Sequence, residues 1–427
     1  MLSDCTLYHA YLQILKEELV PAMGCTEPIA LAYAAAKARD VLGATPERVF
    51  VEASGSIIKN VKSVIVPNTN QLKGIPAAVT AGIVAGKAEK ELEVIAEATE
   101  EDRKAMADFM RNTPIEVAHC NYGLTFDLSV TLYHEQDYAK VRIVNYHTNV
   151  VRIEKNNKVL LENPIHGESE EGLTDRSLLN GKDIWDFVQS VNLNDIRSTL
   201  ETQIKFNMAI AEEGLTNDYG ASIGKVLLRA YGDNIWIKLR AYAAAGSDAR
   251  MNGCELPVII NSGSGNQGIT TSVPVIVYCK ENQIPEEKML RALVLANLLT
   301  IYQKTGIGRL SAYCGVVSAG ASVGATIAYL NEGRFEDVMH TMINSLAIVS
   351  GMVCDGAKAS CAAKIASSVE SGLLGFAMSK QGKHFLGGDG LVADDFETTI
   401  QNIGRLGRIG MQQTNEEIIK IMVGEKC

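Results

Sequence analysis

The stretch A-Y-C-G-V-V-S-A-G-A-S-V-G-A-T-I-A-Y-L, residues 312–330, carries no charge and is built from small and aliphatic side chains. Gly, Ala and Ser on every turn let helix backbones approach closely. The stretch therefore predicts a buried helix in an all-α core rather than a bilayer span, which needs a more uniformly apolar run of roughly 18 residues or more. Cys314 stands near its start. Downstream, G-M-V-C-D-G-A-K-A-S-C, residues 351–361, places Cys354 and Cys361 on either side of a small polar loop. Thiolates are soft ligands that suit zinc or iron–sulfur clusters, and three of them could hold a cluster by three corners with one iron left free as a Lewis acid. The C-x6-C spacing with a distant third Cys is neither the bacterial ferredoxin run nor a zinc ribbon, so buried, incidental thiols are the competing reading.

Outward from this core the pattern divides. From residue 181 almost to the C-terminus, apolar residues recur at helical spacing over 184–191, 195–213, 222–231, 289–303, 335–350 and 397–405, which predicts a helical body. Residues 47–165 differ. Runs rich in β-branched residues at 49–53, 61–66, 124–133, 140–146, 149–153 and 159–161 predict strands, Asn156-Asn157 a hairpin turn, and 74–97 and 101–110 helices. A helix over 7–19 ends before Gly24, and polar 168–174 reads as a surface linker. The expected fold class is α+β. A mainly α-helical catalytic domain, formed from 1–46 and 166–427 and carrying the cysteines, accepts an inserted α+β domain at 47–165.

The chain has 427 residues, 21% of them charged and 47% hydrophobic, with a formal net charge of −10. That composition belongs to a globular chain with a large core, not a disordered one. Without a basic stripe, a nucleic-acid partner is not expected. M-L-S-D-C-T-L-Y-H-A lacks the basic and apolar regions of a signal peptide. The expectation is a cytoplasmic protein with no membrane partner. Nine cysteines, an odd number, do not suggest a disulfide framework in a reducing compartment. Cys5, Cys120, Cys254, Cys279 and Cys427 read as packing, with Cys120 and Cys279 in strand-like runs.

Two further motifs carry chemistry. In M-G-C-T-E-P-I-A, residues 23–30, Pro28 suits a first helical turn and sets Cys25 at or just before the helix N-terminus. Backbone amides and the helix dipole favour an anion there, so the reading is an accessible thiol of lowered pKa, with Glu27 stabilising the first turn. N-S-G-S-G-N-Q-G, residues 261–268, follows a strand-like run and offers a nest for a carboxylate or phosphate, or else an ordinary turn. It matches neither a P-loop nor a dinucleotide fingerprint. Lys358 could meet a substrate carboxylate, an anionic cluster or solvent. The seven histidines show no H-x-x-x-H or H-E-x-x-H pattern, which disfavours a zinc hydrolase.

Taken together, M-G-C-T-E-P-I-A, N-S-G-S-G-N-Q-G-I-T, S-A-Y-C-G-V-V-S-A-G-A-S-V-G and C-D-G-A-K-A-S-C resemble the motifs of the L-cysteine desulfidase group within the iron–sulfur L-serine dehydratase superfamily, over most of the chain. The resemblance implies a [4Fe–4S] cluster on Cys314, Cys354 and Cys361 with one open iron. It implies Cys25 as catalytic base and Thr26, Ser262, Gly263, Ser264, Asn266 and Lys358 as substrate contacts. The implied reaction is α,β-elimination of L-cysteine to pyruvate, ammonia and sulfide. Serine dehydratases carry a longer gap between the last two cysteines, and S-H-T where this chain has Gly24-Cys25-Thr26; a thiol in place of that His favours the desulfidase branch. L-Serine dehydration by the same mechanism and a non-enzymatic iron–sulfur sensor are the alternatives. A pyridoxal-phosphate lyase is disfavoured because no Lys stands in a Schiff-base context. A homodimer acting on a small amino-acid substrate is expected.

Overall fold

The computed structural model describes residues 5–165, 167 and 173–423. Most of the expected linker at 168–174, and Cys427, lie outside the described residues. The protein is α+β, with a six-stranded mixed sheet, a two-stranded sheet and a large set of helices. No helix among the described residues is long and apolar enough to cross a membrane.

The strands are β1 (Pro21–Met23), β2 (Arg48–Ala53), β3 (Ile115–His119), β4 (Asp127–His134), β5 (Asp137–Val144), β6 (Val150–Lys155), β7 (Lys158–Glu162) and β8 (Pro257–Ile259). The larger sheet runs β3-β2-β4-β5-β6-β7. Its one parallel pair, β2 with β3, is joined by a helical crossover, as parallel strands require. Val49, Val51 and Ala53 of β2 point into the core while Phe50 and Glu52 face the other way, the period-2 signature of a strand. The expected Asn156-Asn157 turn is present, both residues at positive φ (47° and 64°) as a type I′ hairpin demands.

Two local expectations are corrected. Residues 61–66 do not form a strand. The Ser54 hydroxyl accepts from the Ile57 amide and starts a helix over Gly55–Val61 instead, and the rest is loop with one bridge between Ile65 and Lys73. Cys279 lies in the Gly265–Glu281 helix rather than a strand, because burial on all sides overrides the β propensity of V-P-V-I-V. The Thr26–Leu42 helix packs against β4, β5 and the Gly74–Ala85 helix.

The small-residue stretch forms the Gly315–Leu330 helix, buried along nearly its whole length. It packs on the Cys361–Lys380 helix with almost no side chain between them. A Cβ on Gly324 would stand 2.2 Å from the Gly372 carbonyl oxygen, and one on Gly372 would stand 2.1 Å from that of Gly320. Contact this close needs glycine on both sides. The Thr26–Leu42 helix approaches the Gly74–Ala85 helix in the same way, at Gly82 over the Ala32 carbonyl. Each buried Val or Ile here contributes roughly 1.5–3 kcal/mol, so packing rather than intrinsic propensity holds these helices. One continuous apolar core links the sheet to the helices.

Candidate functional site

Two short strands bring the N-terminal motif to the glycine-rich one. β1 pairs antiparallel with β8, and the Ile260 amide donates to the Val20 carbonyl at 3.0 Å. The chain leaves β1 through Gly24 at φ +61°, where a Cβ would strike Pro67 at 2.7 Å, and Cys25 becomes the N-cap of the Thr26–Leu42 helix. It leaves β8 into Asn261–Ser264, where Asn261 and Ser264 exchange backbone hydrogen bonds at 3.1 and 3.0 Å. Ser262 and Gly263 between them have φ 49° and 78°, a two-residue type I′ turn. The Thr26 hydroxyl donates to the Gly263 carbonyl at 2.9 Å and locks the two motifs together.

The glycine-rich stretch is thus a tight turn feeding a helix. Ser262 Oγ donates to Asn261 Oδ1 at 2.8 Å, and Ser264 Oγ caps the Gly265–Glu281 helix by accepting from the Gln267 amide at 3.5 Å. The amides of Asn261 and Ser264 are spent on each other, so the donors left for an anion are those of the first helical turn, beginning at Gly265 and Asn266. Asn266 is buried with its Oδ1 unpartnered.

Cys25 occupies the expected helix start but not the expected environment. It is 3% exposed, and its Sγ donates to Glu27 Oε2 at 3.1 Å. Burial, and next the Glu27 carboxylate, push its pKa well above the ordinary thiol value, against an opposing pull from Arg250. The accessible, low-pKa thiol of the sequence reading is therefore corrected to a buried, protonated one, because desolvation outweighs the helix dipole. Glu27 also accepts from Asn60 Nδ2 at 2.9 Å. Burial acts to raise its pKa, but His147 and the donors Cys25 and Asn60 turn the net shift downward.

Cys314 and Cys354 meet through a second short pairing, with Cys361 at the start of the next helix. Tyr313 bridges Val353, the Cys314 amide donates to the Met352 carbonyl at 3.1 Å, and the Cys354 amide to that of Ala312 at 2.6 Å. Cys314 caps the Gly315–Leu330 helix and Cys361 opens the Cys361–Lys380 helix. The hydrogen bond between the Cys314 and Cys354 thiols, before any effect of burial, drives the first pKa up and the second well down. Burial raises that of Cys361, whose field also acts on Cys314.

No three His, Cys, Asp or Glu among the described residues are arranged to hold a single metal ion. A four-iron cluster is a larger body than an ion, and the charges around the thiols suit it. Lys59 and Lys304 are both buried. Lys59 Nζ donates to the Cys354 carbonyl at 3.3 Å and Asn415 Oδ1 at 2.6 Å, and Lys304 Nζ to the Gly308 carbonyl at 2.6 Å. Burial lowers the pKa of both, that of Lys304 to about 8, while the nearby Cys354 and Cys314 act to raise them. Buried cations facing a set of thiols are the complement of an anionic thiolate-bound cluster.

Lys358 lies in the loop between Cys354 and Cys361, and its charge acts on the Cys361 thiol. Its ammonium pairs with Asp355 and donates to the Asp355 and Gly356 carbonyls at 3.2 Å, bracing its own loop. Sequence reasoning missed several others. His147, in the turn after β5, is buried with Nε2 unpartnered, its ring edge-on to Phe126 at 4.9 Å. A Cβ on Gly263 would lie 3.1 Å from its Cε1 and from Arg309 Nη1. Arg309 is bound to buried Glu18 at 2.8 Å, which also holds Arg176 at 2.8 Å. Arg250 is buried beside the same turn. Only Lys59 left a trace in the sequence, as a lone cation in the apolar run S-I-I-K-N-V. Cavities of 490 Å³ at Met339, His340 and Phe385 and of 440 Å³ at Trp185 and Tyr329 share none of these residues.

Comparison with known proteins places these features in a lineage. The sequence model of the serine dehydratase alpha chain family matches residues 89–420, a range that includes the glycine-rich turn and all three clustered cysteines. A UPF0597 protein of Desulfitobacterium hafniense is 54% identical over 98% of this chain and 97% of its own. Similar proteins of Lachnoclostridium phytofermentans, 49% identical over 98% of this chain and 100% of their own, and Treponema denticola, 46% identical over 98% and 99%, span Cys25 as well.

Proposed function

The chain belongs to the serine dehydratase alpha chain family, and from that premise we propose that it is an iron–sulfur-dependent lyase. It eliminates the β-substituent of a small L-amino acid, with L-cysteine as substrate and L-serine the alternative. The observation that carries this reading is the convergence of Cys314, Cys354 and Cys361, ringed by Lys59 and Lys304, on the side of the fold where Thr26 is tied to Gly263. Cys314, Cys354 and Cys361 are the residues that would hold the cluster. When bound, a [4Fe–4S] cluster with one free iron supplies a Lewis acid for the leaving sulfur or oxygen.

The chain's own residues do the rest. The first turn of the Gly265–Glu281 helix, with the Ser262–Ser264 turn and Asn266, receives the substrate carboxylate. Loss of the α-proton and cleavage of the β-carbon–sulfur bond give aminoacrylate, which tautomerises to the imine and takes up water to yield pyruvate and ammonia. Cys25 is the proposed base, taking the α-proton in its thiolate form. A second reading gives this role to His147, because its neutral ring already presents an unpartnered Nε2 in the same enclosure. The 47–165 segment as an inserted domain, supported by the continuity of β2 to β7, a cytoplasmic location and a homodimer belong to the same proposal.

Anaerobic reconstitution, with iron and acid-labile sulfide counted beside sulfide release from L-cysteine and pyruvate release from L-serine, tests it. Cys354→Ala loses iron and turnover together. Cys25→Ala keeps the iron and loses turnover by about 10²-fold or more, the scale of general-base catalysis. Exchange of the substrate α-proton with deuterated water, followed in Cys25→Ala and His147→Gln, decides which is the base. Reconstituted protein that acts on neither amino acid would turn the assignment toward a sensor.

A further inference from the structure

Arg250 closes the Ile235–Met251 helix, 3% exposed to solvent. Its Nε has no hydrogen-bond partner, and it forms no salt bridge among the described residues. Its guanidinium lies across the start of another helix. A Cβ on Gly265 would stand 2.2 Å from Arg250 Nε and 2.6 Å from Cζ, so only glycine admits the group there. Gly265 is the first residue of a 17-residue helix, the end that carries free amides and positive potential. The C-terminus of Arg250's own helix offsets part of its charge, yet a buried cation facing a positive helix end still lacks a counter-ion. Arg309, the other guanidinium at this turn, already has Glu18 at 2.8 Å.

Other unpartnered polar atoms lie at the same helix start: Asn266 Oδ1, Gln267 Oε1 and His147 Nε2. The charge of Arg250 acts on both Cys25 and His147, which places it in the site already described. We infer that Arg250 is the specificity-determining residue that holds the substrate α-carboxylate, clamping it against the first turn of the Gly265–Glu281 helix. The planar fork of a guanidinium matches the two oxygens of a carboxylate, and the helix amides complete the set of donors. The unpartnered oxygens of Asn266 and Gln267, on the same helix turn, are acceptors suited to the substrate ammonium. This inference rests on the amino-acid lyase reading, and its test is chosen to fail separately from it.

L-Alanine carries the carboxylate and ammonium but no leaving group, whereas L-alaninamide lacks the carboxylate charge. Melting of the protein is followed with each, and with inorganic phosphate, as purified and after reconstitution; L-alanine raises the melting temperature of the native protein and L-alaninamide does not. Arg250→Gln abolishes that shift, keeps the iron content, and in the reconstituted enzyme raises KM for L-cysteine by about a hundredfold with a smaller change in kcat, as loss of a buried charge-assisted pair predicts. Arg250→Lys, which keeps the charge but not the fork, folds and shows an intermediate shift. The inference is overturned by an equal L-alanine shift in native protein and Arg250→Gln, by no shift in native protein, by phosphate protecting as well as L-alanine, or by loss of iron from both variants. Absence of turnover with the L-alanine shift intact and Arg250-dependent would reject the lyase reading and leave the carboxylate site standing.

Discussion

His147 is neutral in the folded protein, its pKa pushed down to about 4, chiefly by burial and despite the opposing pull of Glu27. An unfolded His titrates at about 6.5. Between those values the unfolded chain binds more protons, so the stability tied to this residue is complete above the higher value and is lost as pH falls toward the lower. His147→Gln should remove up to about 3 kcal/mol of that acid sensitivity. Urea midpoints measured from pH 7 to pH 4 check it, and a variant as acid-sensitive as the native protein would mean that the ring is solvated. Cys25 shows the same rule from the other side. A helix N-terminus is a good place for a thiolate only while water or a cation prevails there, and at Cys25 burial and the Glu27 carboxylate outweigh the pull of Arg250. Residue type and local spacing marked Cys25 and the Asn261–Gly268 turn in the sequence, and the family resemblance added Thr26 and Asn266. His147, Arg250 and Glu18 were not legible there, because nothing in N-Y-H-T-N or D-A-R-M-N distinguishes a surface side chain from one enclosed by a distant element.

Among the elements, Cys25, Cys314 and Cys361 sit at helix starts and Cys354 in a loop, and very short pairings set them in place. β1 with β8, three residues each, sets Cys25 beside the Asn261–Ser264 turn, and the Tyr313–Val353 bridge sets Cys314 beside Cys354. Pairings so short carry little stability of their own and depend on the helices behind them. The Gly315–Leu330 and Cys361–Lys380 helices fix both Cys314 and Cys361 by contact at Gly320, Gly324 and Gly372. Gly324→Ala should force these backbones apart, costing about 1–3 kcal/mol as overpacking does, and should lower iron retention by displacing the thiols. Thermal melting and iron content of Gly324→Ala are the measurements. Full retention of both would mean that the helices can slide without moving the site. The same contact explains why 312–330 was readable as buried helix, whereas 61–66 was misread: in the latter, a Ser54 cap upstream decided the matter.

For the molecule as a whole, the proposed cluster site holds the buried cations Lys59 and Lys304 in a chain of net charge −10. Lys59 and Lys304 are desolvated whether or not a counter-charge is present, so loading the site should stabilise the fold. A ligand at a hundred times its dissociation constant contributes about 2.7 kcal/mol, a gain of several degrees in Tm. Lys59→Met should change the melting of cluster-free protein by under about 1 kcal/mol, since the lost hydrogen bonds and the relieved charge burial offset one another, and should remove a large part of the gain on reconstitution. Equal gains in Lys59→Met and native protein would separate the lysine from the cluster. The sequence by itself determined the α+β class, the helical core built on small residues, the hairpin at Asn156-Asn157, and the motifs in which the candidate ligands stand, because periodicity, glycine content and thiol chemistry are local properties. Only the tertiary structure decided that Cys25 is buried against Glu27, that Lys358 braces its own loop, and that His147 and Arg250 reach the glycine-rich turn. Those facts depend on which segments far apart in the chain exclude water from one another, and desolvation of that kind is set by packing of the whole fold.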